Sequence, residues 1–342
     1  MLILIIVGAF VLIAAYVGVV IAANTMSHVS AKALPVPQLA GQAAATARFR
    51  ICSWNLGYAG LGEESDFAVD GGKMFLPPSL AAVRKNLQGI VSSLEQIPAD
   101  VYLFQEVANP GLLTRGVDLR GRLEQALPAF VHSFVTDTLT RLVPPPIRVH
   151  HGTEIFSRFR LDAARLAPLP GESSAFYGVL KKSYGINIVE LTDETGAAWS
   201  LMNIHLAAFD ENASARKEQM RVVFAEAKKA FALGRHVVVG GDWNLMLART
   251  DFPNSTDPKY LFWLFDFPHE EVPEAWQLIC DSATPSVRTN HQPYKKGENY
   301  TAVIDGFLVS PNVEVHAVHT TNLDFRFTDH QPVKLEVSAR KV

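Results

Sequence analysis

Cysteine is scarce in this chain of 342 residues, which contains only Cys52 and Cys280. Neither stands in a spacing such as Cys-x-x-Cys, so the sequence does not predict a zinc site built from paired thiolates. A single disulfide is compatible with this number, although two buried free thiols are favoured. The cysteines therefore do not identify a redox compartment.

The chain also lacks a strong excess of charge of either sign. Its 31 basic and 34 acidic residues give a formal net charge of −3. No overall positive field draws the protein to nucleic acid, although a local basic patch would be enough to bind it. The sequence contains no Ser-His-Asp elbow motif, phosphate-binding P-loop or His-Glu-x-x-His motif, so it lacks the signatures of serine hydrolases, P-loop NTPases and zinc peptidases.

The N-terminus has no Asp, Glu, Lys or Arg before Lys32. Residues 2–23 form an apolar run about as long as the ~20 residues that cross a bilayer. A cleaved signal peptide is one alternative, since Ala22 and Ala23 are small, but a basic segment before the run is missing and the run exceeds the usual ~7–15 residues. A buried helix of a soluble protein is another alternative. We predict a transmembrane anchor at residues 1–23.

The membrane orientation is weakly specified by the sequence. The first basic residues, Lys32, Arg48 and Arg50, follow the apolar run, and the positive-inside rule would place them in the cytoplasm. Single N-terminal anchors nevertheless commonly export the domain that follows them. We therefore expect a single-pass membrane protein with an extracytoplasmic domain at residues 48–342. Residues 24–47 are rich in Ala, Pro, Ser and Gln and are predicted to be a linker.

From Arg48 onward, short apolar and β-branched runs alternate with helical patterns. Apolar residues at a spacing of 3.6 predict helices over residues 79–94 and 213–233. Strands interleaved with helices, and then strands in succession, predict two packed sheets with helices outside. The predicted strands cover residues 49–54, 101–104, 186–191, 199–205, 236–240, 303–309, 313–318 and 333–337.

Two of these strands end in polar residues of catalytic type. The segment SWNLG brings Asn55 to a turn, where its amide can hold a phosphate oxygen, although an isolated Asn there is more often a turn former. In the segment VYLFQEV, four apolar residues are followed directly by Gln-Glu. A carboxylate beside a buried strand is costly unless it is paired or binds a metal, so Glu106 is predicted to be a metal ligand.

The middle of the chain repeats this pattern. His205 interrupts the apolar segment LMNIHL, and Asp242 and Asn244 follow the buried run of three Val in VVVGGDWN. A lone histidine on a strand is usually structural, but here it is a candidate to contact or protonate a phosphate. Because they are two positions apart, Asp242 and Asn244 are expected on one side of an extended segment, facing one substrate atom.

The C-terminal segments VIDGFLVS and TDHQPV complete the candidate set. Asp305 lies in an apolar strand, and Asp329 and His330 stand side by side before another strand. A carboxylate commonly fixes the tautomer of a catalytic histidine, so Asp305 is predicted to orient His330 and to leave Asp329 free for metal. Carboxylates, amides and imidazoles around a hard cation favour phosphoester hydrolysis.

These motifs, in this order, resemble the endonuclease/exonuclease/phosphatase superfamily. The resemblance rests on SWNLG, LFQEV, NIHL, GGDWN, IDGFLVS and TDHQPV, and it runs from about residue 50 to residue 337. It implies an α+β fold, a four-layer αββα sandwich like that of deoxyribonuclease I, with the site at the strand ends between the sheets. The DFAVDGGK segment at residues 66–73 resembles bacterial members with hydrophobic N-termini, which implies a bacterial membrane-anchored member and a loop on the substrate side.

The resemblance also implies residue roles and a cofactor. His330, His205, Asp242, Asn244 and Asp305 would be catalytic. Glu106, Asn55 and Asp329 would bind Mg²⁺ or Mn²⁺, and His205 and Asn244 would also contact substrate. Arg115 and Arg158 are further candidates for substrate contact, and a structural salt bridge is the alternative for each of them.

The substrate is constrained by what the sequence omits. A signature like PAWCDR of inositol-polyphosphate 5-phosphatases is absent, and the corresponding segment is YTAVIDGF. An anchor favours a phospholipid or sphingolipid headgroup ester as substrate, and the aromatic segment at residues 260–276 is either packing or a hydrophobic rim at lipid. A tethered or secreted nuclease is the alternative, with the Lys pairs at 181–182, 228–229 and 295–296 as scattered candidates for a basic groove. A metal-free binding module of the same fold is a third reading, and no obligate protein partner is inferred.

Overall fold

The apolar runs of the sequence form strands, and the periodic segments form helices, in a computed structural model that describes residues 1–25, 29–171 and 182–340. Within these residues the α-helices are α1 (Leu2–Thr25), α2 (Leu80–Gln96), α3 (Leu119–Ala126) and α4 (Ser214–Ala232). The strands are β1 (Lys32–Ala33), β2 (Arg48–Asn55), β3 (Val101–Ala108), β4 (Val131–Leu139), β5 (His150–Ser157), β6 (Ala163–Pro168), β7 (Gly185–Thr192), β8 (Ala198–His205), β9 (His236–Asp242), β10 (Gln277–Ile279), β11 (Val287–Arg288), β12 (Thr301–Ala302), β13 (Asp305–Val309), β14 (Val313–Thr320) and β15 (Val333–Ala339).

Most of these strands belong to two mixed sheets. In the described residues, the first sheet has the strand order β14-β15-β2-β3-β5-β4, and the second sheet has the order β1-β6-β7-β8-β9-β13-β10. Strands β11 and β12 form a separate short ladder. Each large sheet contains a parallel pair, β2 with β3 in the first sheet and β8 with β9 in the second.

Three apolar layers hold the elements together. Side chains from the facing surfaces of both sheets, among them Phe49, Trp199 and Phe307, form the central core. The outer face of the first sheet packs against α2 and α3, and the outer face of the second sheet packs against α4. The order of layers is therefore helix, sheet, sheet, helix, and the predicted four-layer αββα sandwich is confirmed.

Helix α2 illustrates why a predicted helix forms where it does. Ser79 adopts extended backbone angles, and its side chain accepts a hydrogen bond from the amide of Ala82 at 3.0 Å, which caps the first turn. Val83, Leu87 and Ile90 recur on one face and are buried against the first sheet. Each such side chain contributes about 1.5–3 kcal/mol when it leaves water.

The parallel pairs position the candidate site residues. The carboxyl ends of two parallel strands meet at one edge of a sheet, and Asn55 pairs with Gln105 across β2 and β3 at that edge. In the second sheet His205 pairs with Asp242 across β8 and β9. The antiparallel strand β13 then places Asp305 opposite Asp242.

The N-terminal part of the chain contacts the sandwich more than the linker prediction implies. Strand β1 pairs with β6, the amide of Leu34 donates to the carbonyl of Ala164 at 2.8 Å, and Ala45 bridges to Asp193. Before this segment, α1 is long and apolar enough to be a membrane anchor or a signal sequence, and most of its side chains between Ile5 and Ile21 are exposed.

The strands that the sequence did not predict lie near sheet edges. Strand β4 alternates buried and partly exposed residues and includes His132 and Asp137, and β5 begins with His150, His151 and Gly152. The edge strand β4 carries little apolar signal because one of its faces is partly solvated. Strand β5 is buried along nearly its whole length, and its polar residues obscure the apolar pattern. Both cysteines are free thiols. Cys52 is buried in β2, and Cys280 is partly buried.

Candidate active site

A cleft with an empty volume of about 550 Å³ opens at the edge where β2, β3, β8 and β9 end. Both sheets contribute to it, and segments before β13 and β15 close one side. Seven of the eight residues for which the sequence predicted a central role line this cleft. They are Asn55, Glu106, His205, Asp242, Asn244, Asp329 and His330, and Asp305 lies directly behind His330.

Glu106 reaches the cleft through an irregularity in β3. The pairing with β5 shifts register between Phe104 and Val107, and Glu106 has a left-handed φ of 54°. Such a bulge turns one side chain away from the regular alternation of the strand. The carboxylate accepts a hydrogen bond from the Tyr58 hydroxyl at 2.8 Å. Burial, with Asp329 nearby, raises the pKa of Glu106 to about 8 despite the opposing charge of Lys182.

Asp242 joins the two sheets at the centre of the cleft. Its Oδ2 accepts a hydrogen bond from Asn55 Nδ2 at 3.1 Å, so a first-sheet amide contacts a second-sheet carboxylate. Burial and the neighbouring Asp305 raise the pKa of Asp242 to about 6, although His330 opposes this shift. The preceding Gly241 has φ of 149°, and a Cβ there would lie 2.0 Å from the carbonyl oxygen of Ile204, so only glycine fits.

His330 is held by the carboxylate that the sequence assigned to it. Its Nδ1 lies 2.9 Å from Asp305 Oδ2, and its Nε2 lies 3.6 Å from Asp242 Oδ2. Burial alone would lower the pKa of His330, but Asp305 and Asp242 outweigh burial and raise it well above the ordinary histidine value. His330 is thus a buried imidazolium whose Nε2 faces the cleft.

His205 has a different partner, which the sequence did not identify. The Lys182 ammonium lies 3.0 Å from His205 Nδ1, and it also lies 3.8 Å from Asp137 Oδ2. Asp137 is in turn 2.7 Å from His151 Nδ1. Burial, and then the charge of Lys182, lower the pKa of His205 well below the ordinary value. The second histidine is therefore neutral.

Asp329 lies on the opposite side of the cleft, beside the loop formed by residues 66–73. It accepts hydrogen bonds from Asn290 Nδ2 at 2.5 Å and from the Thr328 hydroxyl at 3.2 Å. Phe67 and Asp70 of the loop also line the cleft. Burial, with Asp329 nearby, raises the pKa of Asp70 to about 7. The loop therefore lines the cleft beside Asp329, and its role on the substrate side stays a prediction.

Two sequence predictions about arginines are not met by the geometry. Arg158 follows the end of β5 that pairs with the start of β3, where it lies 3.8 Å from Asp100. Glu106 is near the other end of β3, so Arg158 is at the far edge of the sheet from the cleft. Arg115 donates to the carbonyl oxygen of Pro77 at 2.7 Å and lines a separate surface depression with Leu80. Arg158 makes the structural salt bridge that was the stated alternative, whereas Arg115 makes a hydrogen bond to a backbone carbonyl.

Asn244 lines the cleft but not in the expected conformation. Strand β9 ends at Asp242, and Asn244 has a left-handed φ of 50°, so the two residues do not share one side of an extended segment. The Asn244 side chain donates to the carbonyl oxygen of Leu206 at 2.9 Å. Its backbone amide donates to Asp242 Oδ1 at 2.9 Å, which fixes the orientation of that carboxylate.

The donor set of the cleft fits a hard divalent cation. Glu106 and Asp329 offer carboxylate oxygens and Asn55 offers an amide oxygen, which are ligands that Mg²⁺ and Mn²⁺ accept. Asp242, Asp305 and His330 form a second compact group whose ligand atoms lie within 4.8 Å of one another. The raised pKa values of Glu106 and Asp242 show that these buried carboxylates lack sufficient positive charge around them. A cation would supply that charge.

Several residues that line the cleft or support its side chains went unrecognised in the sequence. Tyr58, Asp137, His151 and Asn290 stand in segments without a strand-end motif, and Lys182 appeared only as half of a lysine pair. Its neighbour Lys181 lies outside the described residues. Their contacts depend on how the edge strand β4 and the approach to β7 meet, and local sequence patterns do not report that.

Comparison with known proteins agrees with this geometry. Residues 52–330 match the endonuclease/exonuclease/phosphatase family. The chain is similar in structure to an endonuclease/exonuclease/phosphatase from Beutenbergia cavernae DSM 12333, with 17% sequence identity, a TM-score of 0.56, and coverage of 86% of this chain and 72% of that chain. It is also similar to a protein of the same description from Bacteroides vulgatus, with 15% identity, a TM-score of 0.54, and coverage of 86% and 99%.

A third similar structure is TDP2 from D. rerio, with 15% identity, a TM-score of 0.51, and coverage of 85% of this chain and 99% of that chain. No curated protein matches the chain. At these identities the solved structures establish the fold, whereas the family match spans most of the sequence. The chain therefore belongs to the endonuclease/exonuclease/phosphatase family, whose members in general hydrolyse phosphoester bonds.

Proposed function

We propose that the protein is a divalent-cation-dependent phosphodiester hydrolase that acts at a membrane on a phospholipid or sphingolipid headgroup ester. One observation carries the hydrolase part of this proposal. Asn55 and Glu106 of the first sheet meet His205 and Asp242 of the second sheet in one cleft, with His330 beside them. These residues are far apart in the chain, and a purely structural role would not require them to converge on one opening.

Glu106, Asn55 and Asp329 are the residues that would hold Mg²⁺ or Mn²⁺ in the proposed enzyme. When bound, the cation would polarise a phosphoryl oxygen and neutralise the charge that develops in the transition state. The Tyr58 hydroxyl holds Glu106, and Asn290 and Thr328 hold Asp329. These contacts orient the carboxylates before substrate arrives.

The remaining residues supply proton handling and orientation. Asp242 has a pKa of about 6, so at neutral pH it can accept a hydrogen bond from the attacking water and take its proton. A P–O bond then forms to water while the ester P–O bond breaks, and the leaving oxygen takes up a proton. His330, held as imidazolium by Asp305, stabilises negative charge on the phosphoryl group. Neutral His205 donates a hydrogen bond to the same group.

The lipid assignment is supported by the N-terminal helix and by the rim of the cleft. An anchored enzyme meets membrane substrates at high effective concentration. The aromatic segment at residues 260–276 serves partly in packing and partly at the rim of the cleft. Trp263, Phe267 and Trp276 are buried, whereas Phe262 is 52% exposed and lies next to Phe209 of the cleft. An exposed aromatic side chain at the rim suits an acyl chain or a headgroup better than it suits water.

A tethered or secreted nuclease is the second candidate. D. rerio TDP2 has been solved with a single-strand DNA product, and it shares the fold of this chain. A net charge of −3 and scattered lysine pairs disfavour a long nucleic-acid groove here. A non-catalytic binding module is disfavoured because all eight residues of the predicted set are present.

The deciding experiment compares substrates side by side. Full-length protein in mixed phospholipid and sphingomyelin vesicles is assayed for headgroup release, and the same preparation is assayed on plasmid DNA and on bis(p-nitrophenyl) phosphate, each with Mg²⁺, Mn²⁺ or EDTA. We expect hydrolysis of lipid and of the synthetic diester with metal, and none with EDTA. Cleavage of DNA alone would overturn the lipid assignment, and the absence of hydrolysis of all three would overturn the enzyme.

A further inference from the structure

The loop between β4 and β5, residues 140–149, leaves the sandwich at the end that carries the cleft. Within the first sheet, Ala108 at the end of β3 pairs with His151 at the start of β5, and Leu139 of β4 pairs with His150. Glu106 is only two residues before Ala108. Thr140 and Val149 close the neck of the loop through a backbone hydrogen bond of 2.9 Å. The loop therefore projects beyond the same sheet edge as Glu106.

The same loop is bonded to the apolar N-terminal helix. Asn24 of α1 donates from Nδ2 to the carbonyl oxygen of Arg141 at 3.0 Å and accepts from the amide of Arg141 at 2.6 Å. The Tyr16 hydroxyl donates to the carbonyl oxygen of Leu142. Tyr16 and Asn24 are eight residues apart, so these contacts extend about 12 Å along the helix axis. The loop residues that make these contacts, Arg141 and Leu142, are neighbours, so the start of the loop is fixed beside this end of α1 and shares the medium that surrounds it.

The composition of the loop suits an apolar medium. Leu142 is 53% exposed and Ile147 is 54% exposed, although both are large aliphatic side chains. Pro144, Pro145 and Pro146 stand between them and have no N–H groups to leave unsatisfied in lipid. Arg141 is exposed beside the apolar tip, where its guanidinium group can reach lipid phosphates, and Arg148 donates to the carbonyl oxygen of Val143 at 3.0 Å within the loop.

We propose that residues 140–149 insert into the membrane interface beside α1 and hold the cleft end of the sandwich against the bilayer. This inference rests on the membrane location in the proposed function, and it names the surface that faces the lipid. A headgroup phosphate at the interface would then reach Glu106 and His330 without leaving the membrane surface. The partner of this surface is the bilayer itself.

The test uses full-length protein reconstituted in vesicles of phosphatidylcholine and phosphatidylglycerol. Single cysteines at Leu142→Cys and Ile147→Cys, in a Cys280→Ser background with Cys52 buried, carry an environment-sensitive fluorophore. Leu233→Cys is the matched control, because Leu233 is 73% exposed and follows α4 at the end of the sandwich opposite the cleft. We expect a blue shift of emission and quenching by spin-labelled lipid at positions 142 and 147, and neither at position 233.

A second variant reports on function. Leu142→Asp combined with Ile147→Asp should lower hydrolysis of vesicle lipid by about ten-fold, because two inserted side chains are lost. Hydrolysis of bis(p-nitrophenyl) phosphate should be unchanged, and Leu233→Asp should change neither activity. Emission at 142 and 147 that matches emission at 233 would overturn the inference. Extraction of the protein by carbonate would overturn the anchor, and this inference with it. Insertion of the loop without any lipid hydrolysis would overturn only the proposed substrate.

Discussion

The Lys182 ammonium nitrogen lies 3.0 Å from Nδ1 and 3.3 Å from Nε2 of His205, close to both ring nitrogens. A positive charge this close to both ring nitrogens disfavours a second positive charge on the imidazole, and with burial it lowers the pKa of His205. His205 Nε2 also lies 3.9 Å from Glu106 and 3.6 Å from Asp242. Lys182 therefore keeps His205 neutral, whereas the carboxylates of Asp305 and Asp242 keep His330 protonated.

Replacing Lys182 with Met should lower kcat by about 10–100-fold, the range found when a group that orients an active-site ligand is removed. The reason is that His205 loses the contact that holds its ring and the positive charge that keeps it neutral. Steady-state kinetics on bis(p-nitrophenyl) phosphate measure the effect. Lys182→Arg should recover part of the rate, because a guanidinium also places a positive charge beside the ring. Equal rates for Lys182→Met and the unmodified protein would contradict the assignment.

Replacing Glu106 with Gln should have opposite effects on stability and on metal response. In EDTA the variant should gain about 1–3 kcal/mol in free energy of unfolding, because a buried carboxylate without a cation is replaced by a neutral amide of the same size. Mn²⁺ should raise the Tm of the unmodified protein but not that of the variant. The assignment of Glu106 as a metal ligand fails if Mn²⁺ raises both Tm values equally.

His330 and Asp305 should act as one unit in catalysis. His330→Ala should lower kcat by about 100-fold or more, and Asp305→Asn should do the same because the imidazolium loses its counter-charge and its orienting partner. The double variant should be no slower than His330→Ala, because the effects of residues that act together are not additive. Glu95→Gln is the matched control, as it removes an exposed carboxylate near the end of α2, which precedes the start of β3 and is remote from the cleft. Multiplicative losses in the double variant would show independent roles.

Asp193 should make stability depend on pH in the acid range. Burial would raise its pKa, but hydrogen bonds from Thr195, Trp199 and the amide of Ala197 outweigh burial and lower the pKa below 3.8. A carboxyl with a lowered folded-state pKa stabilises the fold above its unfolded-state pKa, and this stabilisation disappears as pH falls through the folded-state value. Asp193→Asn should therefore lower the free energy of unfolding by about 1.5–3 kcal/mol at neutral pH. In urea unfolding well below the folded-state pKa the difference should vanish; a difference that persists there would contradict this account.

Strand-end chemistry explains why so much of the candidate site was predictable. Apolar runs that stop abruptly at Asn55, Glu106, His205 and Asp242 report both a buried strand and its end, and parallel pairing brings two such ends together. The link between Asp305 and His330 was predictable because a histidine in a carboxylate-rich site needs an orienting partner. The layer order followed from apolar strands that alternate with amphipathic helices.

Other features could not be predicted from local sequence patterns, because they depend on contacts between distant parts of the chain. Arg158 was a candidate for substrate contact, but the direction of β5 decides which end of the sheet it occupies. The contact of Lys182 with His205 depends on where the chain enters β7, and the left-handed backbone of Asn244 depends on the turn after Gly241. Such relations are set by sheet register and by long-range packing rather than by neighbouring residues.

The hydrogen bond from Asn55 to Asp242 joins the facing edges of the two sheets, and neither sheet alone carries a complete set of reactive groups. Catalytic activity consequently requires that the two sheets stay packed against each other. Partial separation of the sheets would abolish hydrolysis before either sheet lost the hydrogen bonds between its strands. In a denaturant series, hydrolysis should therefore be lost before or together with global unfolding, and not after it.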